Sequence, residues 1–171
     1  MEYQNPLIAY IDSHALEHNI NVVRQKFPGK EIILPVKANA YGHGSILVSR
    51  LAQDCNVNFF ALARINEALE LRLAGIKGQM IILGAEWNID NLKLALEYDI
   101  GLTVSDITHI ELLEKIAEQE NKIFNVHVKL NTGMFRLGVD SENVAVFAKK
   151  LASCKRLHVV SAFTHFAQSD E

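Results

Sequence analysis

Apolar and polar positions along this chain repeat with two alternating periods. Short apolar runs at 7–11, 31–37, 58–63, 79–83, 100–104, 123–131 and 157–166 read as β-strands. Between them, stretches at 13–27, 45–54, 65–74, 89–98, 106–121 and 141–153 place apolar residues at helical spacing. Ser13, Ser105 and Ser141 stand where helix N-caps are expected. Gly29 and Gly75 fall just past helical stretches, where a left-handed residue commonly ends a helix. The run Ile32-Ile33-Leu34-Pro35-Val36 is apolar on both faces, as in parallel strands covered by helices. Strand then helix, repeated, predicts βαβ units and an α/β fold. The repeat fits a (β/α)8 barrel of the TIM type, which takes roughly 250 residues for eight units, so this chain holds about six. The expectation is therefore an incomplete (β/α)8 barrel over 13–171, with an open doubly wound sheet as the alternative. The run at 7–11 stands outside this count, so 1–12 reads as a separate N-terminal strand.

Composition narrows the function classes. An apolar fraction of 49% and a charged fraction of 22% are ordinary for a globular protein. The formal net charge of -3 offers no basic surface to nucleic acid or anionic lipid. No apolar run approaches the roughly 20 residues that span a bilayer. The polar first residues carry no signal-peptide core, so a cytoplasmic location is expected. Cys55 and Cys154 form no CxxC pair and read as reduced, packed thiols.

The candidate chemistry begins at a strand end. Along 31–37, alternation puts Ile33, Pro35 and Lys37 on one face. Lys37 then sits at the C-terminal end of a buried strand, where barrels gather catalytic groups. Partial desolvation there favours a neutral, nucleophilic amine that can form a Schiff base with a carbonyl. The following Ala38-Asn39-Ala40-Tyr41-Gly42-His43-Gly44 reads as a tight loop of little bulk, which lets a ligand approach the backbone. Along 123–131, His127, Lys129 and Asn131 share a face, and a polar face on a buried strand must line a cavity. His14-Ala15-Leu16-Glu17-His18 spells an inverted zinc-peptidase pattern but reads as a solvated helix face, with no third ligand in context. His109, His127 and His158 show no ligand spacing, and no metal is expected. Glu111, Glu114, Lys115 and Glu118 read as a solvated face with charge pairs at helical spacing.

The run Val36-Lys37-Ala38-Asn39-Ala40-Tyr41-Gly42-His43-Gly44 resembles the pyridoxal 5′-phosphate lysine motif of the alanine racemase family, among the fold-type III enzymes. Three further segments are similar to that family in the same order. They are Ile65-Asn66-Glu67-Ala68-Leu69-Glu70-Leu71-Arg72, then Lys129-Leu130-Asn131-Thr132-Gly133-Met134-Phe135-Arg136-Leu137-Gly138, then the segment from Thr164 and His165 to Glu171. The resemblance implies a cofactor-binding (β/α)8 barrel followed by a C-terminal β domain, with 1–12 pairing with that domain. It implies that Lys37 holds pyridoxal 5′-phosphate as a Schiff base and acts as a catalytic base, and that Tyr41 reaches the cofactor phosphate. It implies that His165 lies beside the cofactor ring and that Arg136 binds the substrate carboxylate. Lys129 matches a lysine that is carbamylated in many members and helps place that arginine. His43 more naturally shapes its loop. Two residues depart from the family pattern: Asn131 stands where aspartate is frequent, and Phe135 where a small or polar residue is usual.

The implied activity is the interconversion of L- and D-alanine, for the D-alanine of cell wall precursors, by a homodimer. The rest of the phosphate cradle, the arginine at the pyridine nitrogen and a second base, a tyrosine of the partner subunit, would lie beyond Glu171. The isolated chain is therefore expected to lack full activity. The alternatives are a non-catalytic pyridoxal phosphate-binding protein and another enzyme on the same barrel, such as an amino-acid decarboxylase.

Overall fold

The computed structural model describes residues 8–169. Its centre is a six-stranded sheet of β1 (Ile33–Pro35), β2 (Phe59–Leu62), β3 (Gln79–Ile82), β4 (Gly101–Val104), β5 (Phe124–Lys129) and β6 (Leu157–Phe163). Every pairing is parallel, and the spatial order is the chain order, β1 to β6. A doubly wound sheet reverses direction at a switch point. Here each crossover advances one strand the same way, which is barrel topology. Among the described residues β1 and β6 do not pair with each other, so the barrel is open. The fold is an incomplete (β/α)8 barrel.

The helices are α1 (Ser13–Lys26), α2 (Lys37–Tyr41), α3 (Ser45–Asp54), α4 (Ile65–Leu73), α5 (Ile89–Glu97), α6 (Ile107–Gln119) and α7 (Val144–Ser153). Strand alternation sorts the apolar residues into two layers. Phe60, Leu62, Met80, Ile82, Leu102, Val104 and Val126 face outward and pack with helix residues such as Ala68, Leu71, Leu113 and Ile116. Phe59, Ala61 and Ile81 face inward and form a smaller cluster with Leu83 and Phe163. The inner face also carries Thr103, whose hydroxyl donates to the Ile82 carbonyl at 2.6 Å, and His127, whose Nδ1 lies 2.8 Å from the Ser161 hydroxyl. A register shift in β6 makes that last contact. Val126 pairs with Val159, but His127 pairs with Ser161. The slipped residue turns Ser161 and Phe163 inward, as one-residue slips must.

Several sequence expectations move. The helix caps sit one residue from the expected serines. The Asp12 carboxylate accepts the His14 and Ala15 amides, and Asp106 accepts those of Thr108 and His109. A carboxylate also complements the helix dipole, so aspartate takes the position from its serine neighbour. Ser141 opens a short 3-10 turn before α7. The strand expected at 7–11 is not seen at 8–11, where Ile8 and Tyr10 are exposed; Leu7 lies outside the described residues. Glu114 is not merely a solvated group. Its carboxylate accepts the Lys155 and Arg156 amides and so fixes the entry to β6. His14, Glu17 and His18 are exposed on α1. Cys55 and Cys154 are free and half-buried. No helix among the described residues is long and apolar enough to cross a membrane.

Gly101 faces the His127 ring, and an added Cβ would lie 2.6 Å from its Nε2 and 3.0 Å from the Met80 carbonyl oxygen. Gly101→Ala should lower unfolding free energy by about 1–3 kcal/mol in denaturant titrations, as overpacking does. Burial lowers the His127 pKa from 6.5 to about 4. The unfolded chain therefore takes up a proton that the folded chain refuses, and stability falls as pH drops from 6.5 towards 4. Urea midpoints at pH 7 and pH 5 should show this loss, and His127→Asn should flatten it.

Candidate active site

The C-terminal ends of the strands open into a cavity of about 560 Å³. Lys37, Tyr41, Lys129, Arg136 and His165, all singled out in the sequence, line it together, beside Phe163 and Thr164. They arrive from three separate chain segments. The first follows β1, the second leaves β5, and the third follows β6.

The first segment departs most from expectation. β1 ends at Pro35, so Lys37 lies past the strand. Val36 makes one last ladder bond, its amide donating to the Ala61 carbonyl at 2.9 Å. Lys37 then opens α2, a single left-handed turn where a loop was expected. Ala38, Asn39, Ala40 and Tyr41 have φ of 51°, 55°, 51° and 54°. Left-handed residues other than glycine cost about 1–2 kcal/mol each. Consecutive residues of this kind persist only where surrounding contacts over-determine them.

Those contacts are specific. The Glu67 carboxylate, on α4, accepts the Ala38 amide at 2.8 Å through Oε1. Through Oε2 it accepts the amides of Ala63 at 2.7 Å and Arg64 at 3.1 Å. It thus ties the residue after Lys37 to the end of β2. The Asn39 side chain accepts the Ser45 amide at 2.9 Å, joining the turn to α3. His43 Nδ1 lies 2.9 Å from the Ala40 carbonyl, so this histidine shapes the loop. Gly42 and Gly44, at φ 91° and 88°, complete the exit where a Cβ would be strained. The sequence reading assigns Glu67 no role of its own within 65–72. Its signal was its place at the third helical position after Arg64, where a glutamate side chain reaches back to free amides.

Lys129 ends β5 and is only 6% exposed. Its Nζ lies 5.4 Å from the centre of the Phe163 ring, a cation–π contact. Burial, then the charges of Arg136 and Lys37, lower its pKa from 10.5. Arg136 follows on an exposed loop whose base is closed by two backbone bonds, Asn131 to Val139 at 2.9 Å and Val139 to Lys129 at 2.8 Å. His165 is exposed and lies past the end of β6, not on it. Thr164 holds this third segment in place by donating to the Leu130 carbonyl at 2.9 Å. Among the described residues the cavity lining contains three cations and no carboxylate. Such a site favours an anionic ligand.

Comparison with known proteins places the chain in the alanine racemase family. The family model for the alanine racemase N-terminal domain matches residues 11–171. An alanine racemase of Methanococcus maripaludis is 39% identical over 168 residues, covering 97% of this chain and 45% of the relative. The crystal structure of alanine racemase from E. faecalis superposes with a TM-score of 0.88 at 30% identity, covering 99% of this chain and 46% of that one. A histidine racemase from Leuconostoc mesenteroides subsp. sake matches with a TM-score of 0.84 at 28% identity, covering 91% of this chain and 42% of that one. The chain thus spans less than half the length of these relatives.

Glu67→Ala should release the left-handed turn. Amide exchange at Ala38 should quicken, and the unfolding free energy should fall by about 0.5–2 kcal/mol, the usual cost of losing a helix-capping side chain. Unchanged exchange at Ala38 would separate Glu67 from the turn.

Proposed function

The chain belongs to the alanine racemase family, and from that premise we propose that it forms the lysine side of a pyridoxal 5′-phosphate-dependent site that racemises alanine. The observation carrying this reading is the convergence of Lys37, Lys129 and Arg136 on one cavity whose described lining holds no carboxylate. Both ligands of such a site are anionic, one through a phosphate and the other through a carboxylate, so the donor set fits them. The cavity volume suits a small cofactor with an amino acid.

Each side chain has a role in this reading. Lys37, half-buried at the mouth, is the amine that attaches the cofactor. The bound cofactor withdraws electrons from the substrate α-carbon and so acidifies its proton. The Lys37 amine would also be the base that takes or returns that proton on the face it borders. The phenol of Tyr41 reaches the phosphate, and His165 borders the ring. The Arg136 guanidinium holds the substrate carboxylate. Lys129 supports Arg136, and its depressed pKa suits carbamylation, which would place a negative charge between the neighbouring cations.

Racemisation also needs a proton donor on the opposite face. We assign that group, homodimer assembly and a cytoplasmic location to the whole protein, of which relatives are more than twice this length. Segment 1–12 is assigned to contact with a C-terminal β domain. The substrate follows the family, although a neighbour described as a histidine racemase has the same fold. A non-catalytic pyridoxal phosphate-binding protein and a decarboxylase are the readings to separate from this one.

The test adds pyridoxal 5′-phosphate to the purified chain, records its visible absorption, and follows L- to D-alanine conversion by chiral chromatography. The native chain should develop the absorption of a lysine-bound cofactor, and Lys37→Ala should not. Turnover by the isolated chain should be roughly 10²–10⁴-fold below that of a full-length relative, the usual weight of one acid–base group. An identical spectrum from Lys37→Ala would overturn the lysine assignment. Turnover equal to a full-length relative would overturn the half-site. Carbon dioxide release would favour the decarboxylase.

A further inference from the structure

The loop that carries Arg136 is shaped from within by Asn131. The Asn131 Oδ1 accepts the Gly133 amide at 3.1 Å and the Phe135 amide at 3.1 Å. Phe135 stands at φ 52° with its side chain exposed, and Arg136 is the next residue. A bulky residue in the left-handed region is held there by its surroundings, and the bond to Asn131 is such a constraint. On the other side, the Asn131 Nδ2 donates to the Asp140 carboxylate at 2.6 Å. A carboxamide has one accepting and one donating end. Asp140 accepts only, so it fixes which end meets the loop. Gly138 lets the chain return to this point, since a Cβ there would meet the Asn131 amide nitrogen at 2.6 Å.

We propose that Asn131 is the positioning residue of the Arg136 loop, with its carboxamide oriented by Asp140. This gives a physical reason for asparagine where aspartate is frequent in the family. An aspartate at 131 could still accept the two loop amides, but its outer oxygen would oppose the Asp140 carboxylate at hydrogen-bond distance. Like charges so placed repel. Asparagine at 131 and aspartate at 140 therefore form a matched pair in this chain. The functional weight of the pair rests on the reading that Arg136 meets an anionic ligand; its structural content does not.

The pair is testable by reversing it. Amide exchange at Gly133 and Phe135 would be measured in the native chain, N131D, D140N and N131D/D140N, without cofactor or substrate. The Phe124 amide on β5, bonded to the Arg156 carbonyl, serves as a reference for the fold. N131D should exchange about tenfold faster at Gly133 and Phe135, the loss expected for a weakened hydrogen-bonded loop. D140N keeps an acceptor at 140 and should stay near native rates. N131D/D140N restores one donor and one acceptor in reverse order and should recover to within about threefold of native. Native rates in N131D would overturn the proposal. So would a double variant as fast as N131D, whether the loop alone or Phe124 as well is affected. Absence of pyridoxal phosphate binding would overturn the proposed function and leave these rates unchanged.

Discussion

The site depends on one bidentate carboxylate. Glu67 accepts hydrogen bonds from the amide of the residue after Lys37 and from those of the two residues that follow β2. Without that acceptor, the first of four consecutive left-handed residues would lose its tie to α4, leaving the Asn39 and His43 contacts to oppose the strain. The turn they form does what an extended strand end cannot. It stops the strand at Pro35 and then sends Tyr41 back to the same cavity as Lys37. Because Glu67 also completes the start of α4, the position of Lys37 is tied to a helix anchored in the core by Ile65, Ala68 and Leu71 rather than to a free loop.

The remaining site follows from the barrel. Parallel strands in sequential order bring their C-terminal ends to one rim. Lys129 closes β5, and Thr164 anchors the segment after β6 to the Leu130 carbonyl. Lys129 is buried in that rim between two further cations, which favours its neutral form. The electrostatics therefore have one sign throughout the described lining, and an anionic ligand would relieve them.

Much of this was legible in the sequence. Apolar runs on both faces announced parallel strands, and alternation put Lys129 and His127 on the inner face where they lie. The motif around Lys37 named the lysine. What the sequence hid were effects that act between segments. Alternation carried Lys37 into β1, but nothing local announces a left-handed turn at Ala38 and Ala40. The turn is tied at Ala38 to Glu67, 29 residues away, and at Asn39 to the Ser45 amide. The register shift before His127 was likewise invisible, because it is defined only against β6. The helix caps moved by one residue because serine and aspartate adjoin at both Asp12 and Asp106, and propensity alone does not choose between them.

The central claim is that the strained turn presents Lys37 to an anion-attracting cavity that accepts pyridoxal 5′-phosphate. The most direct measurement is a crystal structure of the chain grown with that cofactor. The account predicts continuous density from the Lys37 Nζ to the cofactor, a phosphate beside Tyr41, and left-handed backbone retained at 38–41. Cofactor joined to another lysine, or a right-handed turn beneath Lys37, would contradict it.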